Sequence, residues 1–193
     1  RIMSLSFSGD GKYIASVGLW DKNVKIWEVQ ASKSLAPLNG HSSSVNTVCF
    51  SSNGNYVASA SSDKTVKIWD LQTSKCLSTI DAHAGDVLVA SFSRDGKRVL
   101  SAGTDKTAKV WDAQTSELLA TLEHKGYVSS AGFSGDGKYV AIGSTDKTVK
   151  IWEVETGKCL ANLEGHKSNV RSVSFSSDGK FVASGSEDKA VKI

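Results

Sequence analysis

Hydrophobic and polar residues alternate along this chain in short stretches, and each stretch is cut by a glycine or an aspartate. Residues 45–50, V-N-T-V-C-F, place apolar side chains mostly at every other position, which predicts a strand. Ser52-Asn53-Gly54-Asn55 then predicts a tight hairpin turn, with glycine where the backbone needs a positive φ. Residues 56–61, Y-V-A-S-A-S, form a second strand of small, closely packable side chains. Asp63-Lys64-Thr65 turns the chain again into the β-branched strand Val66-Lys67-Ile68-Trp69. A more polar fourth strand follows at residues 75–80, K-C-L-S-T-I. No stretch carries a 3.6-residue apolar stripe, so the expected class is all-β.

The same succession returns along the chain, most legibly from His83 to Trp111. Tryptophans stand at Trp27, Trp69, Trp111 and Trp152, spaced 42, 42 and 41 residues. The four histidines, His41, His83, His124 and His166, are spaced 42, 41 and 42. A fixed period of this size marks a repeat architecture. Four antiparallel strands per period make a sheet too thin to bury both its faces. Stacking such sheets side by side covers those faces, and closing them into a ring protects the terminal ones.

Length adds little once the period is known, but composition narrows the class. Hydrophobic residues make up 39% of the 193 and charged residues 22%, the balance of an ordinary soluble domain. A net charge of +3, evenly spread, gives no reason to expect a membrane or nucleic acid as partner. No apolar run approaches 18 residues and no signal-peptide pattern is seen at the start. Cys49, Cys76 and Cys159 are odd in number and unclustered, which predicts free, buried thiols and an intracellular setting, cytoplasmic or nuclear.

The segments D-K-T-V-K-I-W-D at 63–70 and D-K-T-V-K-I-W-E at 146–153, with G-H at 40–41 and 165–166, resemble the WD-repeat β-propeller family along the whole chain. The resemblance implies a propeller of four-stranded antiparallel blades, each repeat supplying the outer strand of one blade and the three inner strands of the next. Five blades are expected, at about 1–38, 39–80, 81–122, 123–163 and 164–193, the last incomplete. Both termini fall inside repeats, so a segment of a larger, seven-bladed ring is expected, with an oligomer completing the missing strand as the alternative. The resemblance further implies non-catalytic protein recognition.

Histidine, serine, aspartate and tryptophan recur together as His41/Ser59/Asp63/Trp69 and His83/Ser101/Asp105/Trp111. A nucleophile, a base and an orienting acid are all present, but a triad is needed once and this set recurs with constant spacing. The family resemblance implies instead a buried hydrogen-bond chain from indole to serine to histidine to aspartate. The fourth copy departs: Ile142 stands where Ser59 stands, and His124 lacks the preceding glycine, which predicts a less stable blade. No Cys or His pair has metal-ligand spacing and no phosphate-binding glycine loop is present, so neither metal nor cofactor is expected. Lys25, Lys67, Lys109, Lys150 and Lys192 hold one place in the third strand and are read as structural, with packed stems and solvated heads.

Function is therefore sought in what varies between copies. Transferred from the family by register, three rim positions per blade give Arg1, Met3 and Trp20; Ser44, Asn46 and Ser62; Asp86, Leu88 and Thr104; Tyr127, Ser129 and Thr145; and Asn169, Arg171 and Glu187. Trp20 follows Leu19 in a first copy one residue longer than the second between Tyr13 and Asp21. Trp20, Met3, Leu88, Tyr127 and Arg171 are the expected contacts to a protein or peptide partner, tryptophan, tyrosine and arginine being the residue types that anchor interfaces. Membership of a larger complex or multidomain chain is expected. The rivals are a regulatory domain joined to an NTPase or kinase, a reader of phosphopeptide or nucleic acid, and packing of Leu19-Trp20 against a further blade.

Overall fold

The computed structural model describes residues 1–193 and contains strands, turns and no α-helix, so no helix is long and apolar enough to cross a membrane. The first sheet is an antiparallel meander of β1 (Ile2–Phe7), β2 (Tyr13–Gly18), β3 (Lys25–Glu28) and β4 (Lys33–Ser34). The second repeats it with β5 (Val45–Phe50), β6 (Tyr56–Ser61), β7 (Thr65–Asp70) and β8 (Cys76–Asp81). The third comprises β9 (Val87–Phe92), β10 (Arg98–Gly103), β11 (Thr107–Asp112) and β12 (Leu118–Glu123). The fourth is β13 (Val128–Phe133), β14 (Tyr139–Ser144), β15 (Val149–Glu153) and β16 (Lys158–Leu163). The fifth has three strands, β17 (Val170–Phe175), β18 (Val182–Ser186) and β19 (Val191–Lys192). The innermost strands β1, β5, β9, β13 and β17 lie in succession against one another, and the sheets are the blades of a β-propeller.

The hairpin joining the first two strands of each blade is fixed locally. Ser51 Oγ donates to Asn53 Oδ1 at 2.7 Å and accepts the Tyr56 N–H, while Gly54 takes φ 73°. Asp10, Asp95, Asp136 and Asp178 accept the same serine bond in the other blades. An Asx side chain plus a glycine at the left-handed position closes the turn with no tertiary help.

Between blades the core is apolar and made from both partners. Val45, Val48, Phe50, Val57 and Trp69 of the second blade pack on Ala15, Val17, Val24, Ile26 and Leu38 of the first. Trp111 does the same against Ala58, Ala60, Val66 and Ile68 of the second. Each fully buried valine or isoleucine contributes about 1.5–3 kcal/mol. The second strands β6, β10 and β14 are buried on both faces, which is why they are rich in Ala, Ser, Gly and Val. Leu5, Phe7 and Trp27 on the outer face of the first blade, and Val191 and Ile193 of the fifth, are exposed.

The expectation of three buried thiols is corrected. Cys76 and Cys159 are exposed, because they lie at the start of β8 and just inside β16, the outermost strands of their blades, where one side meets solvent. Only Cys49, on the inner strand β5, is shielded, and burial pushes its thiol up to about 12.

Candidate functional site

In the second blade the Trp69 indole N–H donates to Ser59 Oγ at 2.8 Å, and Ser59 Oγ lies 2.7 Å from His41 Nε2. His41 Nδ1 lies 2.7 Å from Asp63 Oδ2, which also accepts the Ser42 N–H at 3.0 Å. Asp63 Oδ1 accepts the N–H and hydroxyl of Thr65. The proton inventory fixes the directions. The serine oxygen accepts from tryptophan, so its proton goes to Nε2, which must be an unprotonated acceptor, and Nδ1–H donates to the carboxylate. Burial lowers the His41 pKa more than Asp63 raises it, which keeps the ring neutral. Burial also works against the Asp63 carboxylate, but the bonds from Thr65, His41 and Ser42 outweigh it and hold the group at about 2.

The third blade repeats the chain with Trp111, Ser101, His83 and Asp105 at 2.8, 2.8 and 2.9 Å. In the fifth, His166 bonds Ser184 and Asp188, both at 2.9 Å. The first has the Trp27–Ser16 bond at 2.8 Å and no histidine. These distances are those of a serine-histidine-aspartate triad, yet Ser59 is 0% exposed and its hydroxyl is already committed on both sides. The set ties inner strands to turns and offers no nucleophile.

The fourth blade breaks the chain. His124 Nδ1 bonds Asp146 at 2.9 Å, but His124 Nε2 and the Trp152 indole N–H are buried with no partner, because Ile142 occupies the serine position. Ile142 is itself fully buried in the apolar cluster between blades three and four.

At the opposite end from the serine hairpins, one rim gathers the ends of the inner strands and the second turns. The N–H of Ser62, Thr104, Thr145 and Glu187 donates to the carbonyl of Ser44, Asp86, Tyr127 and Asn169 respectively, at 2.9–3.0 Å. Each inner strand carries a β-bulge immediately inside this rim, where one residue is left out of the pairing. The residues so expelled are Met3, Asn46, Leu88, Ser129 and Arg171. A bulge bends the strand and re-aims the side chain it carries. Asn46 and Ser129 spend theirs on the carbonyls of Val87 and Val170 in the next blade. Met3 and Arg171 are exposed, while Leu88 is half-buried and its carbonyl accepts the Thr47 hydroxyl at 2.6 Å. Arg171 is bound to Glu187, with Nε at 2.8 Å, so its charge is neutralised within the blade. Tyr127, just before β13, is exposed.

The register assigned to Trp20 needs revision. It is the Leu19 N–H that donates to Arg1 O at 2.8 Å, and the Asp21 N–H that donates to Gly18 O at 3.1 Å. Those bonds match Ser62 to Ser44 and Lys64 to Ser61, so Leu19 holds the rim position and Trp20 sits at the tip of the enlarged turn. Trp20 has φ 67° and is 76% exposed. A left-handed tryptophan costs on the order of 1–2 kcal/mol. The turn is held by Asp21, whose carboxylate accepts the Gly18 N–H and pairs with Lys25 at 3.6 Å. Ile2, Met3, Leu19 and Trp20 thus form an exposed apolar group on one blade, of which Ile2 and Leu19 were not among the expected contacts.

The lysines of the third strands also differ from expectation, because their heads are not simply solvated. Lys109 Nζ donates to Ala82 O at 2.7 Å and Lys150 Nζ to Glu123 O at 3.0 Å. Their ammonium groups lie 5.7 and 5.5 Å from the Trp111 and Trp152 ring centroids, within cation–π reach. They brace the chain where it crosses from the preceding blade into their own.

A family model described as WD domain, G-beta repeat matches residues 1–28, 32–70, 74–112, 116–153 and 157–193. The chain belongs to that family. The second match begins with β4, the outer strand of the first blade, and continues through β5, β6 and β7 of the second. Each repeat therefore links two blades covalently. Propellers of this family are in general protein-interaction scaffolds, without catalytic chemistry of their own.

Proposed function

We propose that this protein is a docking platform that takes a protein or peptide on the rim built from the inner-strand bulges and second turns. The main contacts are Trp20, Met3, Leu88, Tyr127 and Arg171, joined by Ile2 and Leu19. The observation that supports this most is the bulge set: in every blade one side chain is displaced from the sheet at the rim, and those side chains differ from copy to copy. Exposed Trp20 adds to it: the second turn of every other blade puts a lysine in the left-handed region, and only the first puts an aromatic there. The internal pairing of Arg171 with Glu187 weighs against a phosphate reader. The test is affinity capture from the parent cell with the full-length protein, comparing wild type with Trp20→Ala and Met3→Ala, and with Lys12→Ala at the opposite end as control. Loss of one captured protein in the first two variants alone supports the rim. An unchanged set in all of them refutes it.

A further inference from the structure

Six asparagine-glycine or aspartate-glycine pairs stand in the chain, and five of them share one kind of turn. Asp10-Gly11, Asn53-Gly54, Asp95-Gly96, Asp136-Gly137 and Asp178-Gly179 each close the hairpin between the first two strands of a blade. In every one the glycine N–H donates to the carbonyl of the turn serine at 2.9 Å. The side-chain oxygen of the asparagine or aspartate accepts the serine hydroxyl at 2.6–2.7 Å. It also accepts the N–H two residues on, at 3.0–3.1 Å. The sixth pair, Asn39-Gly40, lies in the linker from β4 to β5. There neither the Asn39 side chain nor the Gly40 N–H makes a hydrogen bond to the protein. Asn39 and Asn53 are both exposed, so access to solvent does not tell the two Asn-Gly pairs apart.

An asparagine before glycine is open to attack by its own backbone, because no side chain crowds the glycine nitrogen. The nitrogen gives up its proton to water and attacks the asparagine Cγ. The N–Cγ bond forms, the Cγ–Nδ2 bond breaks, and Nδ2 takes up a proton and leaves as ammonia. Water then opens the five-membered imide at one of its two carbonyls. Cleavage at Cγ leaves aspartate, cleavage at the main-chain carbonyl leaves isoaspartate, and nothing is oxidised or reduced. In the five hairpins the glycine N–H and the side-chain oxygen are committed, so their bonds must open before the atoms can meet. At Asn39 they are free. Aspartate fits this place, since Asp81 precedes Ala82-His83 in the next copy. Isoaspartate does not fit, because it runs the backbone through Cβ and adds a main-chain atom to a span held at both ends. Leu38 is buried and exchanges backbone bonds with Val24 at 2.9 and 3.2 Å, and His41 is held by Ser59 and Asp63. Gly40 between them lies against the Trp69 ring, which an added Cβ would meet at 3.2 Å. We propose that Asn39 is a site of spontaneous deamidation between blades one and two, and that its isoaspartyl product releases His41 from the second-blade network.

The test incubates the purified protein in neutral buffer at physiological temperature, folded and in urea. Peptide mapping with electron-transfer fragmentation separates aspartate from isoaspartate at each site. In the folded protein Asn39 should convert at least about tenfold faster than Asn53, and urea should bring the two rates within about threefold. Hydrogen exchange then compares the isoaspartyl fraction with freshly prepared Asn39→Asp, which carries the same charge on a backbone of normal length. Amides of β5 to β7 should exchange at least about threefold faster in the isoaspartyl fraction. Asn39→Gln, which closes the larger ring far more slowly, should keep its exchange pattern through the same incubation. The inference is overturned if Asn39 stays intact in the folded protein, if Asn53 converts as fast, or if the folded ratio persists in urea. It is equally overturned if the isoaspartyl fraction exchanges as Asn39→Asp does.

Discussion

Ile142 stands where Trp152 needs a hydroxyl, and the Trp152 indole N–H is buried without an acceptor. His124 Nε2, across the same gap, is equally alone. Comparison with the intact second blade isolates the value of one serine. Ser59→Ala strands both the Trp69 indole and His41 Nε2, at about 1–3 kcal/mol for each buried group left unpaired. We predict a loss of about 2–4 kcal/mol by chemical denaturation. His124→Ala should cost less than His41→Ala, because only one of its ring nitrogens has a bond to lose.

The same defect sets local stability. Amides of β13 to β15 are expected to exchange faster than those of β9 to β11, since the fourth blade lacks the indole–serine–histidine bonds of the third and leans more on apolar packing. Native-state hydrogen exchange reads this directly, and equal protection in the two blades would count against it.

Acid should unfold the protein in two stages. His41, His83 and His124 have pKa values lowered by burial from the ordinary 6.5, so the unfolded chain binds more protons than the folded one as pH falls through that value. Their stabilisation is complete above 6.5 and fades as pH drops towards the folded values. Asp63 and Asp146 sit at about 2 instead of 3.8, so their share is present above 3.8 and is lost between there and 2. The melting temperature should therefore be flat above pH 7, decline below 6.5 and fall again below 4. Constant stability from pH 7 to 5 would contradict the neutral-histidine network.

Trp20 should separate stability from binding. At φ 67° a glycine is unstrained, so Trp20→Gly should leave stability unchanged or raise it by up to about 1 kcal/mol. The rim should nonetheless lose its partner. A variant that melts well below wild type would show the indole to be part of the fold.

The period of tryptophans and histidines made the blade count and the four-strand meander legible, because each turn is encoded locally by Ser-x-Asx-Gly or by Asp-Lys. The missing partner of Trp152 could be read from the single letter at position 142. Other features have no sequence signature. A bulge is a change of pairing, not of residue type, so Met3 and Leu88 could be assigned to the rim by the family resemblance, but their displacement from the ladder shows only in the register. The extra residue in the first blade could be counted, but its place fell to Trp20 only when the Leu19 N–H was found on Arg1 O. Asn39-Gly40 and Asn53-Gly54 are alike as letters, and only the hydrogen bonds of the turn separate them. Burial of Cys76 and Cys159 was misjudged because the outer strand has one wet side.

The central claim is that recurring residues build the scaffold and the side chains at the rim do the recognition. The most direct measurement is site-specific photo-crosslinking in cells that express the protein, with p-benzoylphenylalanine replacing Trp20 or, at the far end of the same blade, Lys12. We predict a discrete cross-linked partner from position 20 and none from position 12. Cross-links from position 12 alone, or the same products from both, would contradict the account.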